Sequence, residues 1–260
     1  MTIPRKRFGQ HFLCDQGIVA RIVAALHPQA KDHLIEIGPG QGALTLPVLK
    51  KIKYLEVIEL DRDLIPELED RVRHIGELKI YNADVLDFDF ANIKNDERLL
   101  RIFGNLPYNI STPLIFHLLT FTDLISDMLF MLQKEVAMRL TAKADTDHYG
   151  RLSVMLQYHC QAELLFDVSP QAFYPPPKVQ SSIVKLVPHR TLPYRAKNFE
   201  QFSVLVKQAF NQRRKTLRNS LRDLVTDQVW QQSNIKPDLR AENLGVKEFV
   251  ELANLLAKDA

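Results

Sequence analysis

Asn105-Leu106-Pro107-Tyr108 follows an apolar run, Leu99 to Phe103, and so puts an amide, a proline and a phenol where a strand should end. None of these side chains titrates near neutrality. The chemistry they suit is the holding of an amine. Asn105 offers a neutral carbonyl oxygen, and the Leu106 backbone carbonyl offers a second acceptor, because Pro107 restricts the residue before it to extended geometry. An aromatic amine is a poor nucleophile, since its lone pair is delocalised into the ring. Two acceptors on its hydrogens let the nitrogen rehybridise and aim the lone pair at an electrophile. Tyr108 adds a ring on which a flipped-out base can stack, worth about 1–3 kcal/mol per base. Leu106 and Pro107 thus count as catalytic candidates beside Asn105 and Tyr108. In "AFYPPPKV", Phe173 and Tyr174 sit on a proline-stiffened loop; Phe173 is the preferred second wall of such a base pocket, and either ring could equally be core.

A methyl group on a sulfonium is an electrophile that fits this corner, and a second motif points the same way. "IEIGPGQGALT", Ile35 to Thr45, reads as a strand entering a glycine turn and then a helix. Gly38, Gly40 and Gly42 give a GxGxG spacing, one residue short of the dinucleotide fingerprint GxGxxG, which argues against a nicotinamide or flavin oxidoreductase. About 20 residues on, "VIELD" supplies Glu59 and Asp61 at the end of the next strand, where a carboxylate can accept from ribose hydroxyls. "YNADV" then supplies Asp84, suited to an adenine amine. Room for a small polar tail, an acid for ribose and an acid for adenine match S-adenosylmethionine, which has no pyrophosphate. Glu36 and Asp61 stay open between ligand contacts and capping or solvated carboxylates.

Positioning these residues requires a parallel sheet. Apolar, β-rich runs recur at Leu34 to Ile37, Tyr54 to Leu60, Leu78 to Tyr81, Leu99 to Phe103 and Met128 to Leu132. Helical periods fill the gaps at Leu44 to Lys53, Leu64 to Ile75 and Pro113 to Phe121, an alternation that predicts an α/β sheet with helices on both faces. Arg151 to His159 reads as a helix, and Glu163 to Val168 with Ser182 to Val187 as an antiparallel closing pair. Beyond Pro188 to Lys197 the periodicity is helical throughout, so the chain divides into residues 1–190 and a small all-helical domain, 191–260.

The 260 residues carry 34 basic and 31 acidic side chains, a formal +3 that permits a nucleic-acid partner without requiring one. The distribution is more telling. Six cations and no acid lie between Lys207 and Arg222: Lys207, Arg213, Arg214, Lys215, Arg218 and Arg222. Read as one helix, Phe210, Leu217, Leu221 and Leu224 form an apolar stripe and the cations a flank for RNA phosphates. Arg5, Lys6 and Arg7 add charge to an N-terminal arm. Cys14 and Cys160 are far apart, with no CxxC and no adjacent histidine pair, so neither disulfide nor metal is expected. No apolar run suggests a signal peptide or a membrane span, and a cytoplasmic, monomeric protein is expected.

Taken in order, "FGQHFL", "EIGPGQGALT", "VIELD", "NAD", "GNLPYNIS" and "FYPPPKVQSS" resemble the ribosomal RNA adenine dimethyltransferase family over nearly the whole chain. "AFNQRRKTLRNSL" resembles the branch that acts on small-subunit RNA, rather than the resistance enzymes that modify large-subunit RNA. The resemblance implies a Rossmann-like class I S-adenosylmethionine-dependent methyltransferase sheet. It implies cofactor contacts from His11 and Leu13 of the arm and from Gly38, Gly40, Glu59, Asp84 and Asn105. Many relatives carry Asn at the position of His11, whose ring nitrogens can also donate or accept. It further implies dimethylation of N6 on two adjacent adenosines in a hairpin near the 3′ end of the RNA, within an immature small subunit. A protein that only binds and assembles the subunit is the competing expectation.

Overall fold

The computed structural model describes residues 11–94 and 96–257. The chain begins with β1 (Phe12–Leu13) and α1 (Gln16–Leu26), and then alternates: β2 (His33–Ile37), α2 (Thr45–Ile52), β3 (Tyr54–Glu59), α3 (Ile65–Val72) and β4 (Glu77–Asn82). There follow β5 (Leu100–Asn105), α4 (Ser111–Leu119), β6 (Ile125–Gln133), α5 (Lys134–Thr141), α6 (Arg151–His159), β7 (Cys160–Val168), β8 (Phe173–Tyr174) and β9 (Ser181–Pro188). Four helices complete the described chain, α7 (Phe199–Asn211), α8 (Leu217–Ser220), α9 (Asp227–Gln232) and α10 (Val246–Leu256). This is the α/β alternation that the hydrophobic periods predict.

Seven strands form one sheet in the order β4-β3-β2-β5-β6-β9-β7, with β2, β3, β4, β5 and β6 mutually parallel and β9 antiparallel to β6. β2 is buried at all five positions, as a strand covered on both faces must be. The chain builds outward from β2 to β4 and then returns to place β5 on the other side of β2. That reversal is a topological switch point, where open α/β sheets leave a crevice at their C-terminal edge. Asp15 starts α1 by accepting the Gly17 and Ile18 N–H groups at 2.8 and 3.0 Å.

Two strands too short to show any period were not legible in advance. β1 pairs antiparallel with β8, matching Phe12 to Tyr174 and Leu13 to Phe173. Phe12 and Leu13 of the arm and the start of the "FYPPPKV" loop, 162 and 160 residues apart at the two paired positions, are thereby one local structure.

The chain forms two compact units, one of residues 1–137 and 163–188 and a second of 138–162 and 189–260. The second unit therefore contains the C-terminal helices and also residues 138–162, which the sequence reading kept with the first. Within it, α6, α7, α9 and α10 pack together, with Tyr158 on Phe202 at 4.8 Å between ring centroids and Phe210 on Phe249 at 5.8 Å.

One expectation fails here. The cations from Lys207 to Arg222 do not share a helix: α7 stops at Asn211, Gln212 leaves helical geometry and Thr216 is extended and bridges Arg240. Three adjacent cations, Arg213, Arg214 and Lys215, have no acid one turn away to support a helix. Tertiary partners take the backbone instead, the Leu217 N–H donating to the Leu239 carbonyl at 2.7 Å and the Arg218 N–H to that of Pro237 at 2.9 Å. Leu217 and Leu221 are buried, whereas Leu224 is 37 % exposed and no part of that stripe.

Among the described glycines the tightest surroundings are at Gly104, where an added Cβ would lie 2.3 Å from the Ile37 carbonyl oxygen. We expect Gly104→Ala to force β2 and β5 apart at the switch point and to lower stability by at least the roughly 1–3 kcal/mol typical of overpacking. Urea unfolding checks this, and a wild-type midpoint would refute it.

Candidate active site

The crevice is built first by backbone. Gly38, Gly40 and Gly42 have φ of 66°, 55° and 82°, the left-handed region that side chains avoid, so the turn after β2 can fold back on itself only as glycine. The turn is pinned at both ends: the Gly38 N–H donates to the Ile58 carbonyl at 2.9 Å and the Gly42 N–H to that of Pro39 at 2.8 Å. Glu59 then ties it to the end of β3. Its Oε2 accepts the Gly40 N–H at 3.1 Å and its Oε1 the Asp61 N–H at 2.8 Å. Burial raises the Glu59 pKa above the usual carboxylate range, and the two N–H donors oppose that shift.

Four carboxylates line the cavity, those of Glu36, Glu59, Asp61 and Asp84, and its described lining contains no lysine or arginine. Glu36 and Asp61, left open by sequence reading, are both buried. Asp61 accepts the Asp63 N–H at 3.3 Å, and Asp84 Oδ1 accepts the Leu86 N–H at 2.9 Å. Glu36 accepts the Thr45 hydroxyl at 2.6 Å. Its pKa is pushed up to about 8, chiefly by burial and further by the charge of Glu59, against the lowering effect of the Thr45 hydrogen bond.

Across the switch point, Asn105 ends β5 with its amide oriented: Nδ2 donates to the His11 carbonyl at 3.0 Å, which leaves Oδ1 as an acceptor. The Leu106 N–H donates to the Met131 carbonyl at 3.2 Å and the Pro107 carbonyl accepts the Ile110 N–H at 3.2 Å, so the corner is held from both sides. Tyr108 is fixed by a 2.7 Å hydrogen bond between its hydroxyl and that of Ser181, and burial raises its pKa. His11 stacks on that ring at 5.6 Å. Its Nδ1 lies 2.7 Å from the Pro175 carbonyl, which can only accept, so Nδ1 carries the proton.

His11, Leu13, Gly38, Gly40, Glu59, Asp84 and Asn105 therefore line one cavity, together with Leu106, Pro107 and Tyr108. Phe173 does not join them. It is 4 % exposed and belongs to the core cluster of Leu13, Val19 and Val168, so the expected base-pocket wall sits in the core; the exposed ring on that loop is Tyr174, at 67 %. β8 alternates its side chains, and the pairing with Leu13 turns Phe173 inward. Sequence reasoning did not foresee Ser181, Thr45 or Pro175 in the site, because each acts through one hydrogen bond formed by tertiary pairing. Only "QSS" after the proline loop carried any signal, as hydroxyls on a strand.

Arg213, Arg214, Lys215, Arg218 and Arg222 all belong to the second unit and are exposed. Arg213 donates to the Asp147 and Tyr149 carbonyls and lies 3.6 Å from Glu242; Arg218 pairs with Asp227 at 2.8 Å and Arg222 with Asp223 at 3.5 Å. Arg5, Lys6 and Arg7 lie outside the described residues.

Comparison with known proteins gives a consistent result. A family model described as "Ribosomal RNA adenine dimethylase" matches residues 2–258. A protein of Marinobacter nauticus named ribosomal RNA small subunit methyltransferase A is 53 % identical over 253 residues, 97 % of this chain and 91 % of that one. Among solved structures, a dimethyladenosine transferase from Plasmodium falciparum superposes with a TM-score of 0.79 at 27 % identity, covering 95 % of this chain and 98 % of that one. The 23S rRNA methyltransferase ErmE shares the fold, with a TM-score of 0.74 at 21 % identity over 95 % of this chain and 99 % of that one.

The environment of Glu36 makes a stability prediction. Its folded pKa of about 8 lies above the unfolded carboxylate value, so its contribution is fully present below about pH 4 and is lost as pH rises through 8. Glu36→Gln keeps an oxygen for Thr45 and has no charge to bury. The variant should gain stability on the wild type between pH 4 and 8, by at most on the order of 5 kcal/mol. Thermal melts at pH 5 and 9 measure this, and an unchanged difference contradicts it.

Proposed function

The chain belongs to the ribosomal RNA adenine dimethylase family, and from that premise we propose that it is an S-adenosylmethionine-dependent methyltransferase of small-subunit ribosomal RNA. It places two methyl groups on N6 of each of two adjacent adenosines in a hairpin near the RNA 3′ end, and it acts as a cytoplasmic monomer on an immature small subunit. The cofactor suits the site: Gly38 and Gly40 line the cavity and leave backbone room for a small tail, and a wall of carboxylates without a cation suits a positively charged ligand and repels a pyrophosphate. When bound, it supplies a sulfonium methyl as electrophile. Glu59 is placed to accept from the ribose hydroxyls through lone pairs not used by Gly40 and Asp61, Asp84 to accept from the adenine amine, and His11 and Leu13 to close the arm side.

The observation that carries the reading is the orientation of Asn105. With Nδ2 committed to His11, Oδ1 can hold one hydrogen of the target amine, and the Leu106 carbonyl can hold the other. An amine so held would present its lone pair to the methyl group that the bound cofactor would supply, and the N6 proton would pass to water. No side chain has to act as a base. Tyr108 supplies the stacking face, and the Ser181 bond makes its hydroxyl part of the ring's placement rather than incidental. The described residues include no helix long and apolar enough to cross a membrane.

Arg213, Arg214, Lys215, Arg218 and Arg222 are proposed to contact RNA phosphates, with Arg5, Lys6 and Arg7 contributing from the arm. Arg214 and Lys215 are exposed and have no ion pair among the described residues, so they meet phosphate without first releasing an acid. The other three exchange one partner for another.

Two measurements test this function. Asn105→Ala should slow single-turnover methyl transfer to immature small subunits on the order of 10²–10³-fold while subunit binding persists. A wild-type rate would leave the corner as only a turn. Replacing Arg214 and Lys215 together by Ala should reduce subunit affinity and flatten the slope of log affinity against log salt by roughly 1.4–1.8, with cofactor affinity unchanged. An unaltered slope places the RNA elsewhere.

A further inference from the structure

Glu36 is the most isolated of the four acids in the cavity. It is 2 % exposed, and its one hydrogen-bond donor among the described residues is the neutral hydroxyl of Thr45 on α2. The other groups around the cavity do not offer it a cation. β3 presents Glu59 and, beyond it, Asp61; the turn after β4 presents Asp84; β5 presents the neutral Asn105 amide; the arm presents His11. Glu59 differs from Glu36 in holding two backbone N–H groups that favour its charged form, and Asp84 holds one. An ionised carboxylate buried without such donors is costly, and retaining the proton is the cheaper solution. The upward shift of the Glu36 pKa to about 8 agrees with that geometry.

We propose that Glu36 is protonated in the empty pocket and releases its proton when the cationic methionine end of S-adenosylmethionine enters, so that cofactor binding exchanges a proton for the ligand's positive charge. This rests on the cofactor reading above and assigns Glu36 as a cofactor-binding residue. The balance is simple: one carboxyl O–H bond breaks, the proton goes to buffer, and the carboxylate remains as counter-ion. The sign follows by linkage. Release of a proton makes affinity rise with pH, with a slope of log association constant equal to the protons released. The rise ends once the empty pocket is already ionised. Nothing in the transfer step itself requires this group, because the methyl acceptor is held by Asn105 and Leu106. Its effect is on loading the cofactor.

Calorimetric titration of the full chain with S-adenosylmethionine, at pH 7 in two buffers of different ionisation enthalpy, reads the proton directly. The wild type should release most of one proton, and its affinity should rise up to about tenfold for each pH unit of increase up to about 8, with a plateau above it. Glu36→Gln should bind with no release and a flat profile. Should that variant not fold, Thr45→Val serves instead: loss of the hydroxyl that favours the charged form should move the plateau to higher pH. Binding without proton release in the wild type overturns the assignment, as does equal release from Glu36→Gln. No binding in any buffer overturns the cofactor reading itself, a distinct result.

Discussion

β5 approaches β2 so closely at Gly104 that no side chain fits between that residue and the Ile37 carbonyl. The site depends on this contact. Two strands distant in sequence end side by side there, one running into the glycine turn and the other into the Asn105 corner. A cofactor on the first and an amine on the second are then neighbours, and the chemistry becomes a matter of holding two reactants in line. The sheet's reversal of strand order creates the crevice, and the missing Cβ brings its two walls together.

Electrostatics in the crevice are one-sided. Glu59 serves the loop before it serves a ligand, since both its oxygens already accept backbone N–H groups. Glu36 has no such support, and Thr45 alone stands between it and an apolar wall. The same residue type one strand apart thus has two roles, determined by how many donors reach it. A cavity of this sign is unsuited to the diphosphate of a dinucleotide, which is the reason the short glycine spacing and the carboxylate lining agree. The arm adds a polar closure: His11 gives its carbonyl to Asn105, its Nδ1 proton to Pro175 and its ring face to Tyr108. One residue therefore links the amine corner to the proline loop.

The second unit shows how tertiary pairing overrides local pattern. A stretch of cations at helical spacing became a helix end, a turn and a single helical turn, because the backbone after Thr216 pairs with residues 237–240. The turn sets Arg214 and Lys215 out in solvent with no acid beside them. Arg213 is drawn back onto the carbonyls of Asp147 and Tyr149. Charge that looks uniform in sequence is therefore divided into free and engaged groups.

The sequence by itself determined the parallel sheet, because buried strands and amphipathic helices impose periods of two and 3.6 on hydrophobicity that survive in one dimension. It also put Gly38, Gly40, Glu59, Asp84 and Asn105 at the crevice, because they sit at strand ends, and strand ends on one edge converge in any fold of this class. What it could not determine was each case in which a single hydrogen bond or a two-residue pairing decides. Phe173 and Tyr174 are adjacent and both aromatic, and only the pairing of β8 with β1 turns one into the core and the other to solvent. Glu36 and Glu59 read alike until their donors are counted. The cationic stretch read as a helix until Leu239 and Pro237 took its amides. Periodicity reports the average environment of an element, whereas orientation, protonation and chain breaks are fixed by individual partners brought from far along the chain, and only the tertiary structure supplies those.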